Sequence, residues 1–278
     1  MRQHAELIHE INKAAPPYGG LAFWWLGQHS FIVKAGGRIL YFDPYLSPDD
    51  ARQVPPLLLP KEVRHADFVF GSHDHIDHVD PYAITGIATA TSKTRFVVSR
   101  VAAQHLTQLG IADERVLTLD EGLTYEEEGL RISAIAAAHE FLDRDPVLGY
   151  PYLCFIVETG GVTIVHTGDT CRYEGMLLKL RRWSPDIFFV PINGRDAVRL
   201  SNDCIGNMTY QEAVDLAGEL QPRLTVPSHY DMFAHNSADP KLFADYMDVK
   251  YPERRYWIGG YGERVDLPPL DAGDTTTR

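Results

Sequence analysis

The stretch Gly71-Ser72-His73-Asp74-His75-Ile76-Asp77-His78 packs three imidazoles and two carboxylates into six consecutive positions. Neutral imidazole and carboxylate are donors for hard and borderline divalent cations, so this crowding points to metal chemistry rather than to a solvated loop. The run before it, Ala66-Asp67-Phe68-Val69-Phe70, is short, aromatic and β-branched and reads as a buried strand broken at Gly71. His73 and His75, two apart, project to one side of an extended loop, whereas Asp77 and His78 fall where the chain turns into a helix. Two of these groups suit one ion and two another. No two of these histidines stand four apart, which excludes the His-Glu-x-x-His helix of zinc proteases.

Other apolar segments end in the same way. Leu130–Ala138 runs into His139, Val162–Val165 into His166-Thr167-Gly168-Asp169, and Leu224-Thr225-Val226 into Pro227-Ser228-His229. Ligands of open α/β sheets bind beyond the carboxyl ends of strands, so these ends are expected to line one crevice with His73. The elements that must position them are legible in outline. A short amphipathic helix covers residues 4–15, and three apolar segments between Leu21 and Phe42, split at Gly27-Gln28-His29 and Gly36-Gly37, form an antiparallel meander. Asp43, closing that meander, either orients a metal ligand or caps a turn. The proline-studded stretch 48–64 reads as an irregular loop bordering the site. Helices are expected at 81–90, 101–109 and 175–183, strands at 96–98, 152–158 and 187–190, and Thr209-Tyr210-Gln211-Glu212 is a capping box opening a further helix. The alternation of strand and helix, occurring twice, argues for α/β layering in two similar halves that face each other.

Composition narrows the function. At 278 residues and 45% hydrophobic content, the chain buries a full core, here expected as a single domain over 1–267 with a frayed tail at 268–278. A net charge of −12 disfavours a nucleic-acid-binding face. No apolar run is long enough for a membrane span or a signal peptide, so a cytoplasmic location is expected. Cys154, Cys171 and Cys204 fit neither a disulfide framework nor a thiolate metal site.

The motifs His73-x-His75-x-Asp77-His78, His139, Asp169 within His-Thr-Gly-Asp-Thr, and His229 within Pro-Ser-His-Tyr-Asp together resemble the metallo-β-lactamase-fold hydrolases over roughly residues 20–265. That resemblance implies a four-layer αβ/βα sandwich, two mixed β-sheets flanked by helices, with a dinuclear site of Mn²⁺ or Zn²⁺ between them. It implies His73, His75 and His139 as ligands of one ion, Asp77, His78 and His229 as ligands of the other, and Asp169 as the bridge. Pro191–Asp196, Ile205–Thr209 and Ser228–Phe233 followed by His235-Asn236 further resemble the L-ascorbate-6-phosphate lactonase branch. This implies a cytoplasmic homo-oligomer that opens a sugar-acid lactone.

On that reading a hydroxide between the ions attacks the lactone carbonyl, and Asp77 orients it and moves a proton to the leaving oxygen. Arg195, Arg172, Tyr230 and His235 are expected to bind a small anionic, carbohydrate-like substrate. Ser72 and Ser228 read as loop hydroxyls rather than nucleophiles, His29 as a cavity group or a packing residue, and His166 as core or ligand support. A phosphodiesterase or nuclease of the same fold is the competing reading.

Overall fold

The computed structural model describes residues 4–270. α1 (His4–Lys13) leads into the meander β1 (Leu21–Gly27), β2 (Ser30–Ala35) and β3 (Arg38–Phe42). β4 (Phe68–Gly71), α2 (Pro81–Ala90), β5 (Arg95–Ser99), α3 (Arg100–Gln108) and β6 (Val116–Leu119) complete the first half. The second half opens with β7 (Thr124–Glu127), β8 (Leu130–Ala136), β9 (Leu153–Thr159) and β10 (Val162–His166). It continues through α4 (Met176–Leu180), β11 (Ile187–Pro191), α5 (Ala197–Ser201), α6 (Tyr210–Leu220), β12 (Leu224–Ser228), α7 (Pro240–Lys250) and β13 (Arg264–Leu267).

One sheet has the order β13-β1-β2-β3-β4-β5-β6 and the other β12-β11-β10-β9-β8-β7. Each begins as an antiparallel meander and continues in parallel, so both are mixed and the two halves mirror each other in pattern. In β1, Leu21, Phe23 and Trp25 enter the core between the sheets, whereas Ala22, Trp24 and Leu26 enter a second core beneath α1, α2 and α3. A strand alternates its side chains between faces, and both faces here are covered, which is why β1 reads as an unbroken apolar run. On the far side, Met176 and Leu180 of α4, Ala213 and Leu216 of α6, and Phe243 and Met247 of α7 pack against the second sheet. The result is helix, sheet, sheet, helix.

α7 and β13 carry no expectation from the sequence. Asp239, whose side chain accepts from Lys241 N, caps α7 directly before Pro240, and only Phe243 and Met247 of that helix are buried. β13 buries Leu267 alone yet pairs with β1, Leu21 opposite Leu267, so tertiary pairing rather than pattern makes it a strand. The tail is not frayed from its start: the Pro268 carbonyl accepts from Arg223. Residues 271–278 lie outside the described residues. No helix among the described residues is long and apolar enough to cross a membrane.

Candidate metal centre

The chain ends of β4, β8, β10 and β12 open into one crevice at one end of the sandwich. There the ligand atoms of His73, His75 and His139 lie within 4.8 Å of one another, as do those of Asp77, His78 and His229, and those of His73, His78 and Asp169. Asp169 touches both triads: Oδ2 is 3.8 Å from His139 Nε2 and 3.0 Å from His229 Nε2, and Oδ1 is 3.4 Å from His78 Nε2. A carboxylate in that position can bridge two cations.

The imidazoles are aimed by what holds their other nitrogen. His78 Nδ1 donates to Asp43 Oδ2 at 2.6 Å, His73 Nδ1 to Ser72 Oγ at 3.0 Å, and His139 Nδ1 to the Gly206 carbonyl at 3.1 Å. Each Nε2 is thereby left facing the crevice, the arrangement that fixes tautomer and ring in metal-ligating histidines. Asp43 is itself anchored, accepting from Ser72 N at 2.7 Å and Ser72 Oγ at 2.6 Å. It therefore orients His78, a candidate ligand, rather than capping a turn.

The structure also offers a direct test of whether a cation suits the site. His73 Nε2, His78 Nε2 and Asp169 Oδ1 are buried without a hydrogen-bond partner, and these same three residues form one of the converging groups. Buried polar atoms in folded proteins are nearly always partnered, so three orphans aimed at one point fit a divalent cation.

The local backbone is shaped to bring these groups together. Gly168 adopts φ +59°, and a Cβ there would stand 2.7 Å from the Leu153 carbonyl and 2.8 Å from Ser72 Cβ, so only glycine lets Asp169 approach the first histidine loop. Gln28, Asp43 and His229 hold left-handed φ values of 52°, 43° and 61°. Such conformations cost roughly 1–3 kcal/mol each and cluster where function over-determines the geometry.

Electrostatics follow from burial among opposite charges. Burial alone would lower the pKa of His78, but Asp77, Asp169 and Asp43 push it well above the ordinary imidazole value. Burial likewise acts against ionising Asp77 and Asp169, yet His78 and His229 hold both carboxyls below their usual range. His73 is lowered by burial and by His78 and His75, and His139 falls to about 4 chiefly through burial. Both imidazoles are thus neutral donors at physiological pH.

The crevice opens into a cavity of about 400 Å³ lined in part by Gln28, Tyr45, His75, Asp77, His139 and Asp169. The 48–64 loop does border it, through Asp49. Of the expected substrate residues, His235 lines the cavity and three others do not. Arg195 is held by Glu212 Oε1 and Oε2 at 2.8 and 2.7 Å, and Arg172 by Glu219 Oε1 and Oε2 at 2.9 and 3.0 Å, because each guanidinium is satisfied by a glutamate of α6. Tyr230 is buried against Trp25, ring centres 5.1 Å apart, in the aromatic core. His29 and His166 are fully buried, the former donating from Nδ1 to Ser228 Oγ, the latter from Nε2 to the His29 carbonyl.

Sequence reasoning missed two contributors. Gln28 Nε2 donates to Asp77 Oδ2 at 2.8 Å and lies 3.1 Å from His229 Nε2, yet a lone glutamine in a turn carries no signal. Asp80 caps α2 through Tyr82 N and accepts from Leu46 N and Ser47 N, tying the histidine loop to the segment after β3. Its signal was present, an aspartate directly before the Pro81 that starts the helix.

Residues 38–230 match the family described as Beta-lactamase superfamily domain. A UPF0173 metal-dependent hydrolase from Methanoculleus marisnigri is 28% identical over 253 residues, covering 90% of this chain and 98% of that protein. One from Caldivirga maquilingensis is 25% identical over 244 residues, covering 88% and 97%. Among solved structures, Igni18, a metallo hydrolase from Ignicoccus hospitalis, superposes with a TM-score of 0.71 at 22% identity, covering 89% of this chain and 98% of its own. With its two mixed sheets flanked by helices and its matched segment reaching from β3 past His229, the chain belongs to the beta-lactamase superfamily domain family and has the metallo-β-lactamase fold.

Proposed function

We propose that this protein is a metal-dependent hydrolase that opens a lactone, and that His73, His75 and His139, together with Asp77, His78, His229 and Asp169, would hold a pair of divalent ions. The observation that carries the hydrolase reading is the set of buried, unpartnered donor atoms converging between the sheets, with His73, His78 and His139 fixed from behind. Divalent cations in such a site supply a Lewis acid and bring the pKa of water towards neutrality.

The chain's own residues do the remaining work. Asp77 is the more exposed of the two acidic donors, its side chain 18% accessible against 5% for Asp169, so it faces the incoming substrate. Gln28 donates to one of its oxygens and holds it as an oriented carboxylate, which suits Asp77 to take the proton released by the attacking water and pass it to the departing ring oxygen. Asp169, pinned between both triads, has no such freedom.

The lactone is supported by how the three outer motifs come together. Asn207 Nδ2 donates to Asn193 Oδ1 at 3.1 Å, Asn193 Nδ2 donates to Asn236 Oδ1 at 2.8 Å, and Ile205, His235 and Asn236 from the same motifs line the cavity. Segments dispersed over 191–236 thus form one wall beside the donors. Neither Lys nor Arg lines that cavity among the described residues, which gives the phosphodiester reading no support.

The test is turnover of a lactone panel by protein loaded with Mn²⁺ or Zn²⁺, with metal content measured in parallel. His75→Ala should abolish turnover and lower bound metal. Undiminished activity in that variant, or no acceleration by metal-loaded protein on any lactone, removes the proposal.

A further inference from the structure

The outer part of the cavity selects whatever portion of the substrate does not react. Asp49 and Asp203 contribute the charge to that part, and Ile76, Ile205 and Phe233 the apolar surface. Asp49 is held in place, Oδ1 accepting from Ala51 N at 2.8 Å and Oδ2 from the Tyr45 hydroxyl at 3.2 Å. Asp203 is exposed, at the end of the short turn after α5. Ile76, 64% exposed, projects from the histidine loop itself.

Neither Lys nor Arg lines the cavity beside these two carboxylates among the described residues. Arg195 and Arg172 are closed into their glutamate pairs, and Arg199 pairs with Asp196 and donates to the Ser237 carbonyl. Arg52 donates to the carbonyls of Tyr45, Ser47 and Val54 and does not line the cavity. A phosphate or carboxylate carried at the far end of a substrate would therefore meet like charge from Asp49 and Asp203, while an apolar arm would cover side chains now facing water.

Resting on the ester-opening reading, we propose that the substrate is an electroneutral lactone or ester bearing an apolar arm. Ile76, Ile205 and Phe233 receive that arm, and Asp49 and Asp203 exclude anionic ones. Such a substrate differs from the anionic, carbohydrate-like one expected from the sequence, two of whose expected contacts, Arg195 and Arg172, do not line the cavity.

The experiment uses the metal-loaded protein and a matched pair of γ-lactones, one with a butyl arm and one with a carboxypropyl arm, together with the two corresponding lactams, which are not turned over. Specificity constants are measured for the lactones and binding by calorimetry for the lactams. The butyl compound of each pair should be favoured by about tenfold, and the Asp49→Asn/Asp203→Asn double variant should shrink that ratio to about two- to threefold. Phe233→Ala should weaken the butyl lactam alone. Equal or better handling of the carboxylate, an unchanged ratio in the double variant, or binding of neither lactam overturns the assignment. Absence of lactone turnover with an intact lactam preference would instead sink the ester-opening reading and leave the wall's selectivity standing.

Discussion

The floor and the outer wall of the cavity are built in opposite ways. On the floor, His73, His78, Asp169 and His229 are buried, and Asp43 and Ser72 fix the first histidine loop from beneath. On the wall, Ile76, Asn202, Asp203 and His235 are exposed, and loops rather than strands carry them. A floor of this kind tolerates almost no change in side-chain chemistry, because donor type and direction are both over-determined. The wall is free to vary, so the chemistry of the reaction and the choice of substrate are written in different parts of the molecule.

The sharpest way to break this contrast is to remove the carboxylate shared by both triads. Asp169→Ala should strip the site of metal and lower activity by more than the roughly 100-fold expected for losing an outer support. Bound metal at the wild-type level, measured by elemental analysis, would mean that the floor is not a single unit. Asp43→Asn tests the layer beneath. It keeps the shape but replaces a charged acceptor of the His78 proton, so metal affinity should drop by about 10- to 100-fold while the far-ultraviolet dichroism stays unchanged. An unaltered affinity would show that Asp43 only packs.

An imidazole away from the cavity sets the scale. His65 accepts from the Tyr41 hydroxyl at 2.8 Å, and burial, with a smaller contribution from Lys34, lowers its pKa to about 4. The unfolded chain takes up a proton near pH 6.5 that the folded chain refuses until about pH 4, so stability falls as pH drops through that window and is unaffected above it. His65→Gln, which can still accept from Tyr41, should remove on the order of 2 kcal/mol of that pH dependence and leave turnover at neutral pH unchanged. Urea unfolding at pH 7 and pH 4.5 reads the difference. A wild-type slope in the variant would mean that other groups carry it.

Much of the scaffold was readable because its cues are local. The run 21–42 and the capping box at Thr209 announce their elements through neighbours one to four residues away, and both form as read. β13 and α7 escaped because their stability comes from partners far along the chain, β1 in one case and α6 in the other. Gln28 escaped for a related reason: its hydrogen-bond partner Asp77 is 49 residues away.

By itself the sequence determined the candidate donors, histidines and aspartates placed just after apolar strands, and it determined the α/β layering that gathers strand ends. Only the tertiary structure decided that Asp43 supports His78, and that Arg195 and Arg172 belong to glutamates of α6. The same holds for the cavity wall, which is acidic and apolar. The physical reason is that a ligand's identity lies in its own chemistry, whereas a charge's role depends on which opposite charge the fold brings within about 3 Å of it, and residue spacing along the chain does not encode that distance.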